Sequence, residues 1–233
     1  MPGFGPSEAC QRLGTATLGA DPGHENRAVQ RADVGRRGQR RPDDHTDRTG
    51  TAGTVDGGGG VDDFRFNAVI VEEFAKFGLA CPGISLQNDI VGPYFKNLAT
   101  KEQLDRWMPG FASGELIGAI AMSEPGAGSD LAGIRTTAVR DGDDWIINGS
   151  KTFITNGYSA DIVLTAVRTS PEKKAKGITL FAIPATAEGF SRGRKLDKVG
   201  QDESDTAELF FENVRVPVDN MLLGEGRGFE IAQ

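Results

Sequence analysis

"AMSEPGAGSDLAGI", Ala121 to Ile134, decides how this chain is read. It joins an apolar run to a segment of alternating character. Between them stand Ser123, Pro125, Gly126, Gly128, Ser129 and Asp130. Clusters of Gly, Pro, Ser and Asp are usually surface turns. The alternative is a loop that holds something. Pro125 turns the chain, and Gly126 and Gly128 let the backbone approach a ligand. Successive backbone N–H groups, with the hydroxyls of Ser123 and Ser129, suit an electron-rich ring edge or a phosphate. On these residues alone a surface turn is the plainer reading.

Upstream the text is helical. "DDFRFNAVIVEEFAKFG" places Phe66, Val69, Ile70, Phe74 and Phe77 on one helical face. Asp62 or Asp63 can cap its start and Gly78 suits its end. "PGISLQNDIVGPYFKNLA" is a second helix that Pro93 bends or breaks. "TKEQLDRWM" opens with a capping box, Thr100 and Gln103, and Pro109 is expected to stop it. Downstream of Gly114 the period changes. "ELIGAIAM" reads as a buried strand ending at Met122. "GIRTTAVRDGDDWIINGSKTFIT" reads as strands broken at "DGD" and "NG", both hairpin signals. "ADIVLTAVRT", "GITLFAIP" and "TAELFFENVRVP" are further strands. Many short strands without helices between them suggest a sandwich or barrel, not a βαβ sheet. "NMLLGEGRGFEIAQ" opens a helix after Gly226, where the chain stops.

Residues 1–56 read differently. They hold both histidines, His24 and His45, and no lysine or isoleucine. Neither a helical nor a strand period is present. Such a segment buries too little apolar surface to offset its ordering entropy, so it reads as a disordered tail. A transit peptide is disfavoured by Asp43, Asp44 and Asp47. A third reading is GC-rich DNA translated out of frame, with the boundary just before Gly57–Gly60.

The whole chain has 233 residues, 38% hydrophobic and 25% charged, which permits a globular part. A formal net charge of -7 disfavours nonspecific nucleic-acid binding. Cys10 and Cys81 make neither a disulfide framework nor a zinc pattern, and they fit a reducing compartment. No apolar run approaches the roughly 20 residues of a membrane span, and no signal peptide is visible. There is no P-loop, no G-x-G-x-x-G after a strand, no H-E-x-x-H and no G-x-S-x-G elbow. With no histidine in the folded part, histidine-based proton transfer is excluded, and no metal site is expected.

A second stretch bears on the opening question. "NGSKTFITNG", Asn148 to Gly157, reads as a hairpin with Phe153 and Thr155 on one side of a strand. A ring and a hydroxyl side by side suit a flat heteroaromatic cofactor. The plainer alternative is a half-buried strand with Phe153 in the core.

Together "AMSEPGAGSDLAGI", "DWIINGSKTFITNG", "GITLFAIP", "GRKLDKVGQDESDTAELFFENVRVP" and "LLGEGRGF" closely resemble the acyl-CoA dehydrogenase family of flavoenzymes. The likeness runs nearly gap-free from about Gly57 to the last residue. "FIT" and "RKLDKVG" are most similar to the long-chain branch. The resemblance implies a partial helical N-terminal domain over 57–116 and a middle β-barrel domain over 117–224. It implies the start of a C-terminal four-helix bundle at 225–233, with the rest of that bundle missing.

The resemblance also implies the ligands. Ile120, Ala121, Met122, Ser123 and Ser129 would line the flavin of FAD, with Phe153, Ile154 and Thr155 on its other side. Ser129 and Gly177 match positions that contact the CoA part of an acyl-CoA substrate. The reaction is α,β-dehydrogenation, with electrons passing to an electron-transferring flavoprotein, as part of fatty acid β-oxidation. Relatives are homotetramers, an assembly in doubt for a chain without the bundle. The catalytic glutamate is expected beyond Gln233, so Glu124, Glu225 and Glu230 are not assigned that role. Glu230 falls where long-chain relatives often carry an aromatic substrate contact. The expectation is an inactive fragment of a bacterial cytoplasmic enzyme. The rivals are a non-catalytic acyl-CoA or FAD-binding module and a flavin monooxygenase on the same fold.

Overall fold

A computed structural model describes residues 65–79 and 82–228. The tail over 1–56, the Gly57–Gly60 boundary, the Asp62 or Asp63 cap, both histidines, both cysteines, Glu230 and most of the segment expected to be helical after Gly226 lie outside the described residues.

Among the described residues four α-helices precede the strands: α1 (Arg65–Lys76), α2 (Pro82–Ser85), α3 (Gly92–Leu98) and α4 (Lys101–Ser113). After α1, Gly78 takes a left-handed φ of 69°, as its place after the last turn requires. Leu86–Val91 is a π-helical turn joining α2 to α3, and the Gly92 N–H reaches back to the Gln87 carbonyl. Pro93 therefore widens the helix rather than ending it. Its ring nitrogen cannot donate, and the loose turn sits just before it.

The α4 helix starts with both halves of the expected capping box, Thr100 and Gln103. It does not stop at Pro109, which lies inside it. The lost hydrogen bond is outweighed by burial, because Trp107, Met108 and Phe111 on either side of Pro109 are all buried. Gly114, in the left-handed conformation, ends the helix instead.

Eight strands follow: β1 (Gly118–Ala121), β2 (Thr137–Asp141), β3 (Asp144–Thr155), β4 (Ile162–Arg168), β5 (Ile178–Pro184), β6 (Phe190–Lys195), β7 (Thr206–Pro217) and β8 (Met221–Leu222). They form one sheet in the order β6-β7-β3-β2-β4-β5-β8, with β1 beside β4. Most neighbours are antiparallel. The exceptions are β1 with β4 and the single pair Thr137 with Arg168. The β2–β3 hairpin turns at Gly142 (φ 65°) and Asp143, as "DGD" suggests.

The expected break at "NG" does not occur. The β3 strand runs unbroken through Asn148 and Gly149 for twelve residues, with register shifts against β7 after Ile147 and after Lys151. At Gly149 the first bulge brings the backbone against Thr136, whose Cα would lie 2.7 Å from an added Cβ. Glycine here marks a close approach, not a turn.

Two cores result. One lies on one face of the sheet and takes Trp145, Ile147, Ile154, Val163, Phe181, Leu209 and Val216, among others. The other lies between the helices and the opposite face of β4 and β5, around Phe95, Trp107, Phe111, Leu164 and Leu180. Residues of β4 and β5 alternate between them: Leu164 and Leu180 face the helices, Val163 and Phe181 the first core. Both faces are covered, so these strands read as continuous apolar runs. Buried Gln87 ties helix to sheet, donating to the Leu116 carbonyl at 3.0 Å and accepting the Gly118 N–H at 2.7 Å. Among the described residues no helix is long and apolar enough to cross a membrane.

Candidate functional site

The stretch Met122–Asp130 leaves the end of β1 as a loop laid along β3. The strand itself stops at Ala121, one residue short of Met122. Glu124 and Ala127 exchange backbone hydrogen bonds of 2.8 and 3.1 Å, closing a tight turn with Pro125 and Gly126 exposed at its tip. A Cβ added at Gly126 or Gly128 would meet nothing within 4 Å, and neither glycine has a positive φ. Neither packing nor backbone strain requires them, which leaves open approach to their backbone. Gly128, Ser129 and Asp130 are exposed.

The loop and β3 are stitched together at one level. The Thr152 N–H donates to the Ser123 carbonyl at 3.0 Å. The Lys151 ammonium donates to the Met122 carbonyl at 3.0 Å and to Glu124 Oε1 at 2.9 Å. Glu124 also accepts the Arg135 N–H at 2.6 Å and the Thr136 N–H at 2.9 Å. The side chains of this ion pair are 0% and 6% exposed. Burial works against the charge on both. On Glu124 the Thr136 and Arg135 donors and the Lys151 ammonium prevail, and the carboxyl is held below its ordinary value. On Lys151 burial prevails over the attraction of Glu124, and the ammonium is pushed down.

Phe153 follows at once, and it is not in the core: it takes a left-handed φ of 58° and is 71% exposed. The second register shift of β3 falls here. Ile154 belongs to the first core and Thr155 is paired with Thr206. The segment is one bulged strand rather than the expected hairpin, with Phe153 exposed, Ile154 buried and Thr155 half-buried. Asn156 is left-handed too, at 61°. Two such non-glycine residues within four persist only where the surroundings over-determine them. Those surroundings are visible. Asp205, 2% exposed, accepts the Tyr158 N–H at 2.8 Å and the Ser159 hydroxyl. Asn156 Nδ2 donates to the Gly83 and Gly118 carbonyls, each at 3.2 Å. Arg192 donates to the Gly157 carbonyl at 3.2 Å and to that of Ala160 at 2.5 Å.

The other residues named from the sequence divide by burial. Ile120 and Met122 are half-buried against the helix-side core. Ala121 and Ile154 are wholly inside, at 0% and 2% exposed. Gly177 is buried, and an added Cβ would lie 1.9 Å from the Ser170 carbonyl oxygen. It has a packing reason to be glycine. Arg168 brings its loop beside the Ser129 loop: Nε donates to the Ile134 carbonyl at 3.0 Å, Nη2 to that of Ala132 at 2.5 Å and Nη1 to that of Lys174 at 3.3 Å.

Two of the glutamates named from the sequence are described, Glu124 and Glu225. Glu124 is committed to the ion pair, and Glu225 accepts the Ser170 hydroxyl at 3.2 Å. Sequence reasoning missed Lys151, Asp205, Asn156 and Arg168. The one available signal was a lysine between strand residues at Lys151, whose partner lies 27 positions upstream. Among the described residues no group of His, Cys, Asp and Glu is arranged to hold a metal.

Known proteins carry the same pattern. A family model described as the acyl-CoA dehydrogenase middle domain matches residues 119–214, and one for the N-terminal domain of the same family matches residues 50–115. The chain is 51% identical over 174 residues to the mitochondrial long-chain specific acyl-CoA dehydrogenase of Mus musculus, covering 74% of this chain and 40% of the relative. An acyl-CoA dehydrogenase crystal structure from Geobacillus kaustophilus matches with a TM-score of 0.73 and 52% identity, over 76% of this chain and 47% of that one. A glutaryl-CoA dehydrogenase from Mycobacterium smegmatis, solved in complex with FADH2, matches with a TM-score of 0.64 and 33% identity, over 72% and 42%. The chain thus spans under half the length of these relatives.

Proposed function

Since the chain belongs to the acyl-CoA dehydrogenase family, of which it carries the N-terminal and middle domains, we propose that it forms the FAD- and acyl-CoA-binding half of a long-chain-type acyl-CoA dehydrogenase. The observation that carries this reading is Phe153, a large aromatic held outward at a left-handed φ beside Thr155. An apolar ring kept in solvent at a conformational cost fits a flat partner that covers it.

In this reading Phe153 and Thr155 would hold the flavin, the ring by packing and the hydroxyl by a hydrogen bond. The backbone of Ile120–Ser123 and the Ser129 loop line it from the other side. FAD, when bound, would supply the two-electron redox chemistry for α,β-dehydrogenation of a fatty acyl thioester, with an electron-transferring flavoprotein as the electron acceptor. This chain's own part is to bind and orient. The Ser129 loop and the Gly177 loop, joined through Arg168, receive the CoA end. Glu124, buried in its ion pair with Lys151, is not read as the base that takes the α proton. That same engagement favours a second reading for the chain taken alone: it binds FAD and acyl-CoA without turnover. The domain limits 57–116 and 117–224 belong to the proposal. So does a bacterial cytoplasmic setting, although the mouse relative is mitochondrial by name.

The test is the visible absorbance of the purified chain mixed with FAD, before and after anaerobic addition of a long-chain acyl-CoA. Bound flavin that keeps its colour is the expected result. Flavin that bleaches would overturn the non-catalytic reading. A chain that binds no flavin would overturn the assignment of the site.

A further inference from the structure

The Lys151–Glu124 pair touches no reacting group of the proposed site, yet it joins that site's two halves. One carboxylate collects three segments: the loop that carries it, the Arg135 and Thr136 amides at the entry to β2, and the Lys151 ammonium from β3. Lys151 in turn takes the Met122 carbonyl, one residue beyond β1. The backbone bond from Thr152 to Ser123 lies beside it. Immediately past this knot the chain enters the bulge at Phe153. An apolar pair of the same shape would fill this space with less desolvation. A buried charge pair differs in fixing direction as well as volume, because each donor has one place to point.

We infer that Glu124 and Lys151 are positioning residues, which hold the Met122–Ala127 loop against the Thr152–Thr155 segment so that a flat cofactor meets both at once. This rests on the flavin reading above. The pair sets the spacing of the two walls. Phe153 and the loop backbone make the contacts.

Removing either partner alone strands a buried charge, so E124Q and K151M singly are expected to fold poorly. The informative variant is E124Q/K151M, which removes both charges and keeps the volumes. Made in the full chain, it is expected to melt close to the parent. It should bind FAD at least ten-fold more weakly, with a blurred visible flavin band. Without flavin, hydrogen exchange at the Ala127 and Thr152 amides should be at least ten-fold faster, while the β4–β5 ladder stays protected. A double variant matching the parent in affinity, band shape and exchange would overturn the inference. So would one that cannot fold, since the pair is held to be replaceable for folding. A parent chain that binds no FAD refutes the flavin reading instead, and the exchange measurement then still decides whether the pair holds the loop.

Discussion

Phe153→Ala separates a ligand-facing aromatic from a structural one. A core phenylalanine cut to alanine costs about 3–5 kcal/mol. Phe153 is 71% exposed, and full burial of such a side chain is worth about 1.5–3 kcal/mol. The covered fraction then contributes only about 0.4–0.9 kcal/mol by proportion. Alanine at the same left-handed φ carries much the same strain, so relief of strain does not enter. The melting temperature should fall by no more than about 2–4 °C for a chain of this size. Flavin binding should respond differently. A ring laid on Phe153 covers about 60–80 Å² of it, worth about 1.5–2 kcal/mol at about 25 cal/mol per Å². Losing that contact weakens binding roughly 10–30-fold. Thermal melts of the apo chain and FAD titration by fluorescence quenching read the two effects separately. A variant that melts as if a core residue were lost would refute the structural reasoning. Unchanged FAD affinity would refute the stacking.

Three other outcomes are expected. Gly177→Ala forces a Cβ to 1.9 Å from the Ser170 carbonyl oxygen and should destabilise by about 1–3 kcal/mol, seen as a lower urea midpoint at constant slope; an unchanged midpoint would mean that the loop yields freely. Pro109→Ala returns an N–H to the interior of α4 and should stabilise by about 2 kcal/mol, taking about 3 for proline in a helix less about 1 for the stiffer unfolded chain; a melting temperature that does not rise contradicts this. The Glu124 carboxyl titrates below its ordinary value of 4.5 when folded. Its contribution to stability is therefore full above about 4.5 and lost as pH falls through the folded value. Urea midpoints between neutral and acid pH should drop less steeply in E124Q/K151M than in the parent, and equal slopes would remove Glu124 from the account.

Much of this was legible because local signals and burial agreed. The capping box at Thr100 and Gln103, the Gly142 turn and the two-sided apolar runs of β4 and β5 are local statements, and the tertiary structure had no reason to overrule them. Where the reading failed, distant packing prevailed over a local breaker. Pro109 stays in its helix because Trp107, Met108 and Phe111 need the core. Asn148-Gly149 stays in its strand because Thr136 lies against the glycine. The proposed site divides in the same way. The loop, Phe153 and Thr155 could be named from residue type and order. That Phe153 faces outward could not, because one bulge decides to which side a strand residue points.

The sequence by itself determined the family and most of the helical and strand segments, since each rests on residues near one another in the chain. Only the tertiary structure decided that Glu124 and Lys151, 27 positions apart, share a buried bond. It also decided that Ala121 and Ile154 turn inward while Phe153 turns out, and that Arg168 draws the Ser129 and Gly177 loops side by side. Pairings between distant residues depend on sheet register and on the closing of a core. Neither is written in any one stretch of the chain.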